Sequence, residues 1–359
     1  MPFGLIDTSF IDFPSNVDAA YLRGLQTRSG LNFTDLASRV DAGMAQVNGG
    51  ADPVIASLLA PPTTTEFSRG GRSGQMVVQK KSQYTPARPQ LAERTAHMLA
   101  IDELDIALGF TEDGLQEISI DDFQVQVDAM VSALERAARV DTFVRLFSDA
   151  EVPVDGSTSV TATSPGFAGS GTGGNAFSGL YPDGTALPGG YTHYYRDTAA
   201  NRALVLEAAQ SRLLKWGGGF VDLIGSEAAI AAVMALPKFI ASGSALVRPA
   251  QGTAEALVDT GEFVGVYNGT VRVRLPITDY ADDTYAMVRS FGAFNPRNPL
   301  VWRFDPLRGR DAYVRSREMF PLAQANAMWK YGVNVNDRTG AALIKIAAAG
   351  VYTSPAFAY

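Results

Sequence analysis

The sequence predicts an α+β fold in which one long helix precedes a run of strands. Three observations carry this. Apolar residues recur at helical steps between Ile120 and Phe147. Strand-like segments crowd the region that follows Phe263. Strands and helices nowhere alternate in the way a doubly wound parallel sheet requires.

Residues 1–60 have little sustained periodicity and are interrupted by Pro2, Pro14, Gly24, Gly30, Gly43, Gly49, Gly50 and Pro53. One short helix is expected over Asn32–Gln46, with Phe33, Leu36, Val40 and Met44 on one face. The segment reads as an arm that must lie on something else, since it cannot bury itself. Pro61-Pro62 opens a projecting hairpin with strands at Thr63–Phe67 and Gln75–Gln83 and a turn-rich tip at Arg69–Gly74.

The long helix is expected over Ile120–Phe147. Ser119 is its cap, and Asp122 stands three residues on, as in a capping box. Phe123, Val127, Met130, Leu134 and Val144 continue the apolar stripe. At 1.5 Å per residue this helix is roughly 40 Å long. Asp121 and Asp122 suit the positive end of its dipole.

Residues 153–191 are rich in Gly, Ser, Thr and Pro and read as a long loop. A helix follows at Ala199–Trp216, with Asp197 or Thr198 as cap and Gly217–Gly219 as stop. Another fits Glu227–Leu236, capped by Ser226 and stopped by Pro237. Strands are expected at Phe263–Tyr267, Thr270–Leu275, Ala286–Phe291, Ala312–Phe320 and Leu343–Ala347, with Asn268-Gly269 as a hairpin turn.

Composition excludes several functions. The 359 residues include no cysteine, so disulfide frameworks, thiolate metal sites and cysteine nucleophiles are out. His97 and His193 are the only histidines. Thirty basic residues against 37 acidic ones give a net charge of −7, unlike a general nucleic-acid binder. No apolar run approaches the roughly 20 residues of a membrane helix, and the first residues do not read as a secretory signal.

Motifs for chemistry also fail. Gly169–Gly174 satisfies G-x-G-x-x-G, but Gly179, Pro182 and Gly184 follow where a phosphate-binding helix should open. No serine sits in a G-x-S-x-G turn. His193 lies among Tyr191, Tyr194 and Tyr195, a setting for packing more than for catalysis; a soluble hydrolase using His193 with an acid is the alternative of another class. Asp279, Asp282 and Asp283 lack the glycine and distal glutamate of a calcium loop. No metal or cofactor is expected.

Charge is segregated instead. From residue 61 to 94 six basic residues face two acidic ones, a net +4; from 102 to 151 thirteen acidic residues face three basic ones, a net −10. Opposite charges so placed either fix register between copies of one chain or are two ordinary solvated faces. Arg315 and Arg317 share one face of a strand, which Arg308 and Arg310 would extend. That face meets either acids of a neighbouring subunit or a nucleic-acid backbone.

Arm, projecting hairpin, long helix, loop, helices and strands occur in an order that resembles the major capsid proteins of tailed bacteriophages, with their Hong Kong 97-type fold. In that comparison residues 1–60 resemble the N-terminal arm and 61–95 the E-loop, with its Arg69–Gly74 tip. Residues 96–152 resemble the peripheral domain with its spine helix, 153–300 the axial domain with a Gly-rich insertion, and 301–359 the peripheral strands and C-terminus. Trp329–Val335 resembles a long peripheral strand and Ala341–Ile346 the closing one.

The resemblance implies a non-enzymatic shell protein that assembles as hexamers and pentamers into an icosahedral phage head. The head encloses double-stranded DNA held non-specifically. It implies a portal protein as partner, either a separate scaffolding protein or none, decoration proteins as an open further partner, no membrane, assembly in the host cytoplasm and residence in the virion. Encapsulin-type nanocompartments share the fold and stay open as an alternative. Inter-subunit contacts are expected between Arg69, Arg72, Lys80, Lys81 and Arg88 of one copy and Asp121, Asp122 and Asp128 of another. Some family members crosslink an E-loop lysine to an asparagine. Lys80 or Lys81 with Asn334 or Asn336 would be the corresponding residues, although lysines in a polar loop are ordinarily just solvated.

Overall fold

The computed structural model describes residues 33–49, 52–65, 67–68, 97–111, 117–148, 152–153, 163–164, 194–214, 219–242, 263–274, 284–319, 322–337, 340–346 and 355–357. They include two short antiparallel pairs, β2 (Phe67–Ser68) with β3 (His97–Met98) and β5 (Val152–Pro153) with β6 (Thr163–Ser164), and divide into two compact units. The first takes its residues from 1–52, 101–139 and 304–331, and the second from 53–100, 140–303 and 332–359.

The first unit holds helix α1 (Phe33–Gly49), most of the spine helix, strand β4 (Asp102–Thr111), strand β14 (Tyr313–Met319) and the first part of β15 (Leu322–Val335). The spine helix runs Ile120–Phe147, the bounds its periodicity predicts. Phe123, Val127, Met130, Val131 and Leu134 form its buried stripe here. Helix α1 packs against that stripe closely. A Cβ added at Gly43 would sit 2.9 Å from Val127 Cγ1 and 3.0 Å from Val131 Cγ2, so only glycine lets the backbone approach. The long strand β15 pairs antiparallel with β14 on one side, Tyr313 opposite Met328, and with β4 on the other, Leu104 opposite Trp329. Asp102–Thr111 is thus a strand at the start of the acidic stretch, a reading its charged residues conceal in the sequence.

The second unit is built on a seven-stranded sheet. Its strands are β7 (Tyr194–Asp197), β16 (Ala341–Ile346), β12 (Thr284–Ser290), β8 (Phe220–Gly225), β11 (Val271–Arg274), β10 (Phe263–Tyr267) and β9 (Phe239–Ala241), in that spatial order. The β7–β16 and β8–β11 pairs are parallel and the rest antiparallel. One face carries Val221, Leu223, Val271, Val273, Tyr285, Met287 and Ile344. These pack with Leu206, Ala209 and Leu213 of one helix (Arg202–Leu214) and Ile230 and Val233 of another (Glu227–Met234) as one core. Alternation in β8 and β11 sends Asp222, Arg272 and Arg274 to the opposite face.

The turn Tyr267–Thr270 closes the β10–β11 hairpin with positive φ at Asn268 (49°) and Gly269 (75°), as the Asn-Gly pair predicts. The helix Glu227–Met234 starts where Ser226 predicts: its Oγ accepts from the Ala229 N–H at 3.4 Å. The preceding helix starts later than expected, at Arg202. Thr198 carbonyl accepts from Asn201 and Arg202, while Asp197 belongs to β7 and does not cap.

Residues 53–60 are more deeply committed than a surface arm. In the short helix Pro53–Leu58 and strand β1 (Leu59–Thr63), Leu58 and Leu59 are fully buried, and β1 runs parallel to β13 (Leu300–Phe304). Asn298 fastens this corner. Its Nδ2 donates to the carbonyls of Leu59 (2.8 Å) and Gly292 (2.7 Å), and its Oδ1 accepts from Phe291 N–H (3.1 Å).

Candidate functional site

The described acidic site residues lie together on the spine helix. Ser119 Oγ accepts from the Asp122 N–H (3.1 Å) and donates to Asp122 Oδ2 (2.6 Å), which fixes the first turn. Asp121, Asp122 and Asp128 are exposed, and Val125, 66% exposed, sits among them. Gln124 Nε2 donates to Asp128 Oδ1 at 2.8 Å, while its Oε1 accepts from Arg39 Nη1 of α1 at 3.1 Å. The helix therefore presents a rigid acidic face with an apolar centre, a surface suited to a basic partner. The basic residues expected to meet it, Arg69, Arg72, Lys80, Lys81 and Arg88, lie outside the described residues, as do His193, most of the 153–191 loop and the Asp279–Asp283 cluster.

Arg308 and Arg310 do not extend the face of Arg315 and Arg317. They lie in a turn before β14, which begins at Tyr313. The turn is closed by Asp305: its carbonyl accepts from Gly309 N–H (2.8 Å), and its Oδ1 accepts from Leu307 N–H (2.8 Å). Lys330 Nζ pairs with Asp305 Oδ2 at 3.3 Å. Led by the Leu307 N–H bond, these contacts hold the Asp305 carboxyl below the usual carboxylate range. Arg308 lies over the Tyr313 ring at 4.8 Å, and Trp329 Nε1 donates to the Arg310 carbonyl at 3.0 Å. Arg315 and Arg317 are opposite Asn326 and Gln324 in the β14–β15 register, on one face of the strand; their side chains lie outside the described residues.

Two buried polar clusters escape sequence reading. Asp222 accepts from Arg272 Nε (2.6 Å) and from Arg274 Nη2 (2.7 Å) and Nε (3.0 Å); Arg274 Nη2 also donates to Ser57 Oγ (2.7 Å). Phe220 and Phe263 stack on the Arg272 guanidinium at 4.5 and 4.9 Å. Asp197, fully buried, accepts from Arg202 Nε (2.7 Å) and the Tyr285 hydroxyl (2.9 Å). Burial, and then the neighbouring Asp197 charge, push the Tyr285 phenol far up, so it stays a donor at all physiological pH values. The Val271-Arg272-Val273-Arg274 alternation signals a strand with a charged face, but its acid partner is 50 residues away in sequence.

Asn334, a candidate crosslink acceptor, is fully buried. Its Nδ2 donates to the Ala100 carbonyl (3.0 Å) and its Oδ1 accepts from the Ala100 N–H (2.8 Å), so its amide is a structural clip and not an accessible acceptor. Asn336 Nδ2 is likewise engaged, with the Pro296 and Asn298 carbonyls. Among the described residues no group of acidic residues or histidines could hold a metal ion. No described helix is long and apolar enough to cross a membrane.

No protein-family model matches the sequence, and no curated protein matches it. Solved structures do. A chain from Mycobacterium phage Patience is 17% identical with a TM-score of 0.61, over 92% of this chain and 93% of that one. A chain from the asymmetric unit of the bacteriophage PhiM1 mature capsid is 8% identical with a TM-score of 0.52, over 84% and 89%. At these identities the likeness is one of fold, and it extends over nearly the full length of both partners. Spine helix, long-stranded sheet and helix-covered seven-stranded sheet together are the α+β Hong Kong 97-type capsid fold.

Proposed function

We propose that this chain is a major capsid protein whose copies assemble as hexamers and pentamers into an icosahedral phage head around double-stranded DNA. The observation that carries the reading is the match in fold with a chain of a mature phage capsid over 84% of this chain and 89% of that one. On this reading the chain is a structural protein and not an enzyme. Residues 1–60 serve as arm, 61–95 as E-loop, 96–152 and 301–359 as peripheral domain and 153–300 as axial domain, save that 53–60 and Ala341–Ile346 are built into the second unit with the axial strands. A portal protein, with or without separate scaffolding and decoration proteins, completes the particle in the host cytoplasm.

The inter-subunit contact proposed for this assembly places Arg69, Arg72, Lys80, Lys81 and Arg88 against the acidic face of a neighbouring spine helix. Each exposed pair contributes only about 0–1 kcal/mol. Stability must come from repetition and from apolar burial beneath the charges. The test is the double reversal Arg69→Glu with Arg72→Glu. Subunits that fold but do not form particles are expected; particles indistinguishable from those of the parent chain would refute the charge pairing.

A further inference from the structure

We propose that the turn Asp305–Arg310 of one copy docks on the spine helix of a second, seating Leu307 against Val125 and Ala129 with Arg308 and Arg310 beside Asp122 and Asp128. The proposal rests on the shell-forming function above.

Leu307 is 92% exposed at the tip of this turn. A lone surface leucine is unremarkable by itself. This one is presented by a turn fastened on both sides of it. Asp305 and Gly309 form a backbone bridge, and Leu307 N–H is held by the Asp305 carboxylate. Gly309, at φ +79°, takes a conformation that glycine adopts without strain. Trp329 holds the Arg310 carbonyl, and both backbone groups of Ala312 bond the Asn48 side chain at 2.8 and 3.1 Å. Order set before contact lowers the entropic cost of docking, so the tip is built to present Leu307.

The spine helix offers the complement. Val125, Ala129 and Ala133 recur at four-residue steps, all exposed, and form a shallow apolar line. Asp121 and Asp122 lie one turn before Val125, and Asp128 one turn after. An apolar knob flanked by two guanidinium groups meets an apolar line flanked by carboxylates. With Asp122 and Asp128 taken by the tip, Asp121 is the one of the three carboxylates left to the basic residues of 61–95. A tip-on-helix contact joins two different surfaces, so it propagates from copy to copy and makes rings where its rotation closes.

The absence of native cysteine makes the contact directly testable. Full-length Leu307→Cys and Val125→Cys chains are mixed, assembled, oxidised with copper phenanthroline and run without reductant. A disulfide needs Cα atoms within about 7 Å, so a crosslinked dimer that forms only from the mixture is expected. Particles by electron microscopy without that dimer overturn the docking and leave the shell reading intact. The dimer without particles supports the docking and overturns the shell. Neither product overturns both. Independently, Arg308→Asp with Arg310→Asp should raise the protein concentration for half-assembly by about tenfold or more. Combining it in one chain with Asp122→Arg and Asp128→Arg should restore the parent value. Failure of the swap to rescue a folded subunit overturns the charge match.

Discussion

Removal of the Asp222 carboxylate should cost more than any other single substitution described here. Asp222 is fully buried and receives three charge-assisted hydrogen bonds from Arg272 and Arg274, whose side chains are themselves only 11% and 3% exposed. Asp222→Ala leaves two guanidinium groups in the protein interior with no carboxylate between them. Breaking a buried pair in this way costs about 3–5 kcal/mol, mainly from the stranded charge. For a fold stable by about 5–15 kcal/mol this is about a fifth of the total or more. Urea denaturation of the unassembled subunit, followed by tryptophan fluorescence, reads the loss as a lower midpoint at unchanged slope. A double-mutant cycle with Arg274→Met isolates the pair. The double variant should be less destabilised than the sum of the singles by about 0.5–3 kcal/mol. A cost for Asp222→Ala below about 1 kcal/mol, or strict additivity, would refute the view that this cluster ties the sheet to Ser57 and the short helix beneath it.

Further outcomes follow from other contacts. Gly43→Leu should destabilise the subunit by about 1–3 kcal/mol in thermal melts, because the stiff Val127 and Val131 side chains already fill the space a Cβ needs. Ser226→Ala should cost about 0.5–2 kcal/mol by removing the cap on the Ala229 N–H. Because the folded Asp305 carboxyl titrates below its unfolded value, its contribution is full above about pH 4 and is lost as pH falls through the lower folded value. Protection of the Leu307 amide from hydrogen exchange, taken relative to the intrinsic rate at each pH, should therefore fall in acid, and Asp305→Asn should show much of that loss at neutral pH.

Legibility in the sequence followed the range of the interactions. The spine helix was readable because its cap, its dipole charges and its apolar stripe all act within a few residues, and Ile120–Phe147 is where the helix lies. The Asn268-Gly269 turn and the Ser226 cap were readable for the same reason. Strand β4 was not, since its exposed Asp102, Glu103 and Asp105 hide a period of two that only its pairing with β15 explains. Strands β8 and β13 escaped because buried strands read as short apolar runs with no alternation. At the candidate site, the acids of the spine helix were legible as surface charge. The apolar centre at Val125 carries no such local signal, and the fastening of the Leu307 turn by Asp305, Lys330 and Trp329 depends on partners brought together by the sheet. The Asp222 cluster joins residues up to 217 positions apart through Ser57 and Arg274, beyond the reach of any local pattern.

The most direct test of the central claim is negative-stain electron microscopy of the purified chain, with light scattering on the same sample and, in parallel, with the scaffolding protein supplied. Closed shells or ring-shaped capsomers of megadalton mass are the result predicted for a capsid protein. A uniform monomer or dimer under both conditions would contradict the account.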